Sequence, residues 1–157
     1  MRADLAEDLG GIDSLRLGEL PDPVPGAGQA LVRVHSAGVG LWDTGFLGGA
    51  FPGVAVPFVP GQEGAGVVEA VGDSAGVQPG DRVYASLFPA GGGFAELALA
   101  AADGMAPMPS RANFQEAAAL VIAAGTAHEA PVDRGRLQAG DTVLITAAAS
   151  PGSDWRH

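Results

Sequence analysis

The chain contains no cysteine and no lysine among its 157 residues. Without cysteine there is no disulfide framework, no thiolate nucleophile and no sulfur-ligated zinc site. Positive charge is scarce as well: eight arginines stand against 18 acidic residues, a formal net charge of −10. A protein that binds phosphate backbones needs a basic face to release counterions, so nucleic acid is not an expected partner. Long apolar runs are missing too, none reaching the roughly 18 to 20 residues of a membrane span. The first eight residues, MRADLAED, are acidic where a secretory leader is basic and then apolar. A cytoplasmic location without membrane attachment is expected.

What the chain does have is turn chemistry, with 25 glycines and 12 prolines. Short β-type runs lie between these breakers over the first 110 residues or so. Ile12 to Leu20 reads as a strand ended by the rigid Pro21-Asp22-Pro23-Val24-Pro25 segment. In Gln29 to Val39, Val32 and Val34 alternate with Arg33 and His35, the period of a half-buried strand. Gly64 to Gly72, Asp81 to Leu87 and Phe94 to Ala101 are three further candidates. Many short strands at close spacing predict a small β-barrel.

The pattern changes after Pro109. Asn113 followed by Glu116 reads as a capping box ahead of an Ala-rich helix over Ala117 to Ala124. Gly140-Asp141 then leads into Thr142 to Ala147, a continuous apolar run typical of a strand covered on both faces. The predicted fold class is therefore mainly β with an α/β start: a barrel, then a helix, then the opening strand of an α/β domain.

Pro60 to Val83 reads PGQEGAGVVEAVGDSAGVQPGDRV. On physical grounds it is a strand between two turns, with glycines for close backbone packing and Val67, Val68 and Val71 for a core. Its order and spacing resemble the signature of the medium-chain dehydrogenase/reductase superfamily, in its zinc-independent quinone oxidoreductase-like branch. The resemblance runs from about residue 10 to 148. It includes Leu31-Val32-Arg33-Val34, Ala37-Gly38-Val39 with Asp43, Gly93-Phe94-Ala95-Glu96, Ala117 to Leu120 and Gly140 to Ile145. It implies an N-terminal GroES-like, alcohol dehydrogenase-like β-barrel over residues 1–112. Residues 113–150 would be the start of an NAD(P)-binding Rossmann domain, truncated, and residues 151–157 a tail outside the family pattern.

The resemblance further implies an oxidoreductase that passes hydride from NADPH to a quinone, an enone or a related carbonyl compound. Zinc-dependent members place Cys at the position of Gly40 and His at the position of Gln62. Gly has no side chain and an amide oxygen is a poor substitute for imidazole, so no zinc is expected. Quinone-reductase relatives carry Asn at the position of Gly40, and here that amide is gone. By the same carry-over, Asp43 and Glu63 are the catalytic candidates; Gly40, Asp43 and Thr126 the cofactor-binding ones; Trp42 and Phe46 the substrate-pocket ones. Each has a plainer reading: Asp43 as a helix cap, Thr126 as an ordinary helical Thr, Trp42 and Phe46 as core aromatics, Glu63 as a structural carboxylate.

A nicotinamide enzyme needs a Gly-rich turn and a helix N-terminus for the pyrophosphate. Here Ala147-Ala148-Ala149-Ser150 passes instead into PGSDWRH. The expectation is a reductase truncated near Ser150 by a frameshift or premature stop, with no NADPH binding and no activity by this chain alone. Two alternatives stay open on the sequence: a stand-alone GroES-like binding module, and a half-enzyme completed by a separate cofactor-binding chain. Oligomeric state and the acceptor's identity are not encoded in any of these motifs.

Overall fold

The structure, a computed structural model, describes residues 1–146. The chain divides into two units, residues 1–119 and the remainder from Leu120.

The first unit is built on seven antiparallel strands. β1 (Arg2–Ala6) pairs with β2 (Leu15–Glu19), and a 3₁₀ turn at Gly11–Ser14 takes the first residues of the expected Ile12 to Leu20 strand. The larger sheet contains β3 (Gln29–Ala37), β4 (Glu63–Val71), β5 (Arg82–Ser86), β6 (Leu97–Ala101) and β7 (Met105–Pro107). Its spatial order is β6-β3-β4-β5-β7. Strand β1 is joined to the rest of the unit through single bridges, Ala3 to Ala95 and Ala6 to Phe58.

Alternation decides which face of the large sheet is buried. Val32 lies opposite Val68 on one side and Ala98 on the other, while Ala30 lies opposite Ala100. These residues join Val83, Ala85 and Leu87 in one apolar cluster. Full burial of a valine side chain stabilises by about 1.5 to 3 kcal/mol, so Val32, Val68 and Val83 set much of the sheet's stability. Register shifts interrupt the β3–β4 ladder at Leu31/Val32 and between Val34 and Ser36. Such bulges add local twist, and the sheet curls.

The opposite face of β4 and β5 receives the first turns of α2 (Phe114–His128). Ala117 and Ala118 meet Ala65, with Tyr84, Met108, Ala112 and Phe114 packed around them. The capping box is present: Asn113 Oδ1 accepts from the Glu116 N–H at 2.8 Å and Glu116 Oε2 from the Asn113 N–H at 2.9 Å. The Phe114 ring stacks on His35 with centroids 4.3 Å apart, and the Arg82 guanidinium carbon sits 4.9 Å from its centroid.

In the second unit α2 continues to His128 and a π-type turn, Glu129–Arg134, follows. Pro131 lacks the N–H that a longer α-helix would require. Residues 141–146 form no strand, and Val143, Leu144 and Ile145 are 45%, 90% and 39% exposed. The strand expected from Thr142 onward is thus an apolar run without ladder bonds, since a strand exists only where a neighbour pairs with it. Its last residue, Ala147, and the expected tail lie outside the described residues. Among those described, no helix is long and apolar enough to cross a membrane.

Candidate functional site

Strand β3 ends at Ala37, and the chain passes through Gly38, Val39 and Gly40 into α1 (Leu41–Leu47). Strand β4 starts beside this passage: the Gly38 N–H donates to the Glu63 carbonyl at 3.2 Å. The Glu63 side chain lies directly over Gly38, where an added Cβ would come within 2.6 Å of its Cγ and Cδ. Glu63 is 4% exposed. Its carboxylate is held inside the fold, and Gly38 is what makes room for it.

Asp43 ties the two segments together. Its Oδ2 accepts from the Gly40 N–H at 2.8 Å, closing the first turn of α1, and its Oδ1 accepts from the Gly61 N–H at 3.3 Å. Gly61 sits at φ +90°, a conformation that L side chains rarely adopt. At 3% exposure the carboxylate is buried, and each of its oxygens serves a backbone donor. Asp43 is therefore a cap, as its plainer reading had it, and a cross-link as well.

Trp42 and Gln62 flank that cross-link. An added Cβ on Gly40 would run into the Trp42 indole at Cε2 and Cζ2. The ring occupies the space that a side chain at position 40 would need. Among the described residues, two buried side-chain polar atoms have no hydrogen-bond partner: Trp42 Nε1 and Gln62 Oε1. Gln62 is 1% exposed. Val39 and Leu41, 82% and 81% exposed, give the same loop an apolar surface.

Phe46 is placed differently. It is 6% exposed, stacks on Phe51 at 4.2 Å and meets Phe88 edge-on at 6.2 Å. Phe46 is thus a buried ring covered by two exposed ones, Phe51 and Phe88. Thr126 is exposed on α2 in the second unit. The structure thus gathers Gly40, Trp42, Asp43, Gln62 and Glu63 in the first unit, and Thr126 is described with the second. Among the described residues no group of three His, Cys, Asp or Glu side chains is arranged to hold a metal ion.

Two ionic groups outside this cluster are shifted. The Arg33 guanidinium is raised, mainly by its hydrogen bond to Glu69, and the Glu96 carboxyl is lowered, mainly by the backbone N–H and then the side chain of Arg2. Arg2 Nε and the Arg2 N–H each donate to Glu96 at 2.9 Å. An open groove of about 460 Å³ beside that pair is lined by Leu17, Val34 and Phe94, with none of the Asp43 cluster in its wall.

The alcohol dehydrogenase GroES-like domain matches residues 26–110. The chain is 39% identical to the quinone oxidoreductase of Mus musculus and 36% identical to that of Homo sapiens, each over 152 residues. Those alignments cover 95% of this chain and 46% of each relative. Among solved structures, a probable oxidoreductase from Mycobacterium abscessus superimposes with a TM-score of 0.86 at 36% identity, over 98% of this chain and 49% of that one. A mycobacterial protein solved in complex with NADPH gives a TM-score of 0.85 at 34% identity, over 98% of this chain and 47% of that one. The chain spans about half the length of the curated relatives it matches.

Proposed function

We propose, from the premise that this chain belongs to the medium-chain dehydrogenase/reductase superfamily and carries its GroES-like domain, that it is the acceptor-side half of a zinc-free, NADPH-dependent reductase. The acceptor is a quinone, an enone or a related carbonyl compound. The observation that carries the reading is the cluster around Asp43. A carboxylate joins the start of α1 to the loop before β4, and the two positions where the zinc-dependent branch keeps metal ligands hold Gly40 and Gln62. Neither offers a ligand of the kind zinc takes.

When bound, the nicotinamide supplies the hydride. The residues present fit only its reacting end and the acceptor, since unpaired Trp42 Nε1 and Gln62 Oε1 lie beside the Asp43 cross-link. No strand, Gly-rich turn and helix of the kind that holds a pyrophosphate occurs among the described residues. In this reading Asp43 fixes the loop geometry, Glu63 stays buried beneath Gly38, and Trp42 walls the acceptor site. Without a metal to polarise the acceptor, rate comes from orientation and from hydrogen bonds aimed at developing charge. Alone, the chain turns over no acceptor.

The test is a chimera in which this chain is continued by the remainder of the mouse relative. Consumption of NADPH with 9,10-phenanthrenequinone or an enone, unchanged by a strong chelator, is the expected result. A chimera that binds NADPH and reduces neither acceptor refutes the reading. A rate abolished by the chelator and restored by zinc refutes its metal-free part.

A further inference from the structure

None of the described residues of the second unit is buried. Its apolar side chains therefore still meet water, Leu144 most of all, with exposed Val143 and Ile145 on either side of it. The run Thr142-Val143-Leu144-Ile145-Thr146 forms no ladder bonds with any described residue, which leaves its backbone in the situation of a sheet edge. By chemical type these residues read the same in both directions. Set antiparallel about Leu144, a second copy brings Leu144 opposite Leu144, Val143 opposite Ile145 and Thr142 opposite Thr146. Opposed residues share a face. One face then carries the β-branched apolar side chains and the other the leucines between pairs of threonines, combinations that favour cross-strand contact. Sliding one copy by two residues sets Leu144 against Thr142 or Thr146 and loses the match. Charge points the same way. The run itself is uncharged, and Asp141, which precedes it, falls at opposite ends of the antiparallel pair. Parallel alignment would place the two Asp141 carboxylates side by side, where like charges destabilise.

We propose that residues 142–146 are an interaction surface for a second copy of this chain, which pairs with them antiparallel about a two-fold axis at Leu144. Such an interface is isologous, the same patch on both copies. The net charge of −10 on each chain opposes the addition of further copies along the outer edges. Two short strands pair only marginally in water, so the dimer is weak, with a Kd on the order of 100 µM. Its formation is independent of what the first unit binds.

The experiment uses the absence of cysteine from the parent chain. Val143→Cys, Leu144→Cys and Ile145→Cys are made singly in the full chain, oxidised with oxidised glutathione, and the disulfide-linked dimer is followed on non-reducing gels. Directly opposed residues have Cα atoms about 4.5 to 5.5 Å apart, within the span of a disulfide, whereas diagonal ones at about 7 to 8 Å fall outside it. Leu144→Cys alone, and a mixture of Val143→Cys with Ile145→Cys, therefore couple on the order of tenfold faster than Val143→Cys or Ile145→Cys alone. Sedimentation of the parent shows a monomer–dimer equilibrium that Leu144→Asp removes. Equal coupling by every variant, or faster coupling by Val143→Cys alone than by the mixture, overturns the antiparallel pairing. Growth of the parent into larger assemblies overturns the closed dimer. A parent that stays monomeric at every concentration, with the amides of residues 142–146 protected from exchange by the chain's own residues or left open, overturns the interface altogether.

Discussion

Replacing Asp43 by alanine removes a side chain that joins the start of α1 to the loop before β4 through hydrogen bonds to both. In the folded protein Oδ2 meets the Gly40 N–H at 2.8 Å and Oδ1 the Gly61 N–H at 3.3 Å. The first is a full-strength charge-assisted bond, about 1.5 to 3 kcal/mol, and the second, being longer, counts for less. The Gly61 donor is buried and the Gly40 donor part-buried once the chain folds, so losing the acceptor leaves the first unsatisfied and the second only partly solvated. The expected loss for Asp43→Ala is about 3 kcal/mol. Asp43→Asn keeps one amide oxygen, and turns an NH₂ toward the other donor, for a loss of about 1.5 kcal/mol. For a domain of this size each kcal/mol lowers Tm by about 2 to 4 °C. Urea unfolding followed by circular dichroism reads both variants, with midpoints moving at constant m. If Asp43→Ala lies within about 0.5 kcal/mol of the parent, the size of an ordinary surface change, the cross-link is not structural and the reasoning fails.

Asn113→Ala removes the side chain that accepts from the Glu116 N–H and costs about 1 kcal/mol. The loss shows as faster amide exchange in the first turn of α2; unchanged exchange there refutes it. Glu96 has its carboxyl held low by Arg2, so its stabilising contact exists above the usual Glu value of about 4.3. That contact is lost as pH falls through the lower folded value. Unfolding midpoints of the parent therefore drop more steeply with acidification than those of Glu96→Gln, and parallel curves count against the pairing. Leu144 is 90% exposed between two other exposed apolar residues, an arrangement prone to association. Leu144→Asp lowers self-association in light scattering with unfolding unchanged, whereas equal association in both proteins contradicts the assignment.

Where the sequence is self-consistent the fold is legible in it. β3 through β6 emerge near where they are expected because short apolar runs lie between glycine and proline breakers, with Val32 and Val34 of β3 alternating with Arg33 and His35, and the start of α2 is written in Asn113 and Glu116. β1, RADLA, has no β-branched or aromatic residue and owes its conformation to pairing with β2. β7 carries Pro107, which argues against a strand, yet it pairs at the sheet's edge with β5. Thr142 to Thr146 has strand composition without a neighbour to complete it. At the site, Asp43 is visible from its place in the first turn of a short helix. The burial of Glu63 over Gly38 joins residues 25 apart, and the occupation of Gly40's space by Trp42 depends on a rotamer. Spacing encodes neither.

The mutual exclusion of Gly40 and Trp42 also orders the chain's evolutionary routes. Any residue larger than glycine at position 40 meets the indole at once, so regaining a side chain there is a deleterious first step while Trp42 remains. Trimming Trp42 first opens the space and exposes the bare loop. The two positions therefore change as a sequence of events with one passable order, and a library that varies them singly will report position 40 as immutable while a paired library will not.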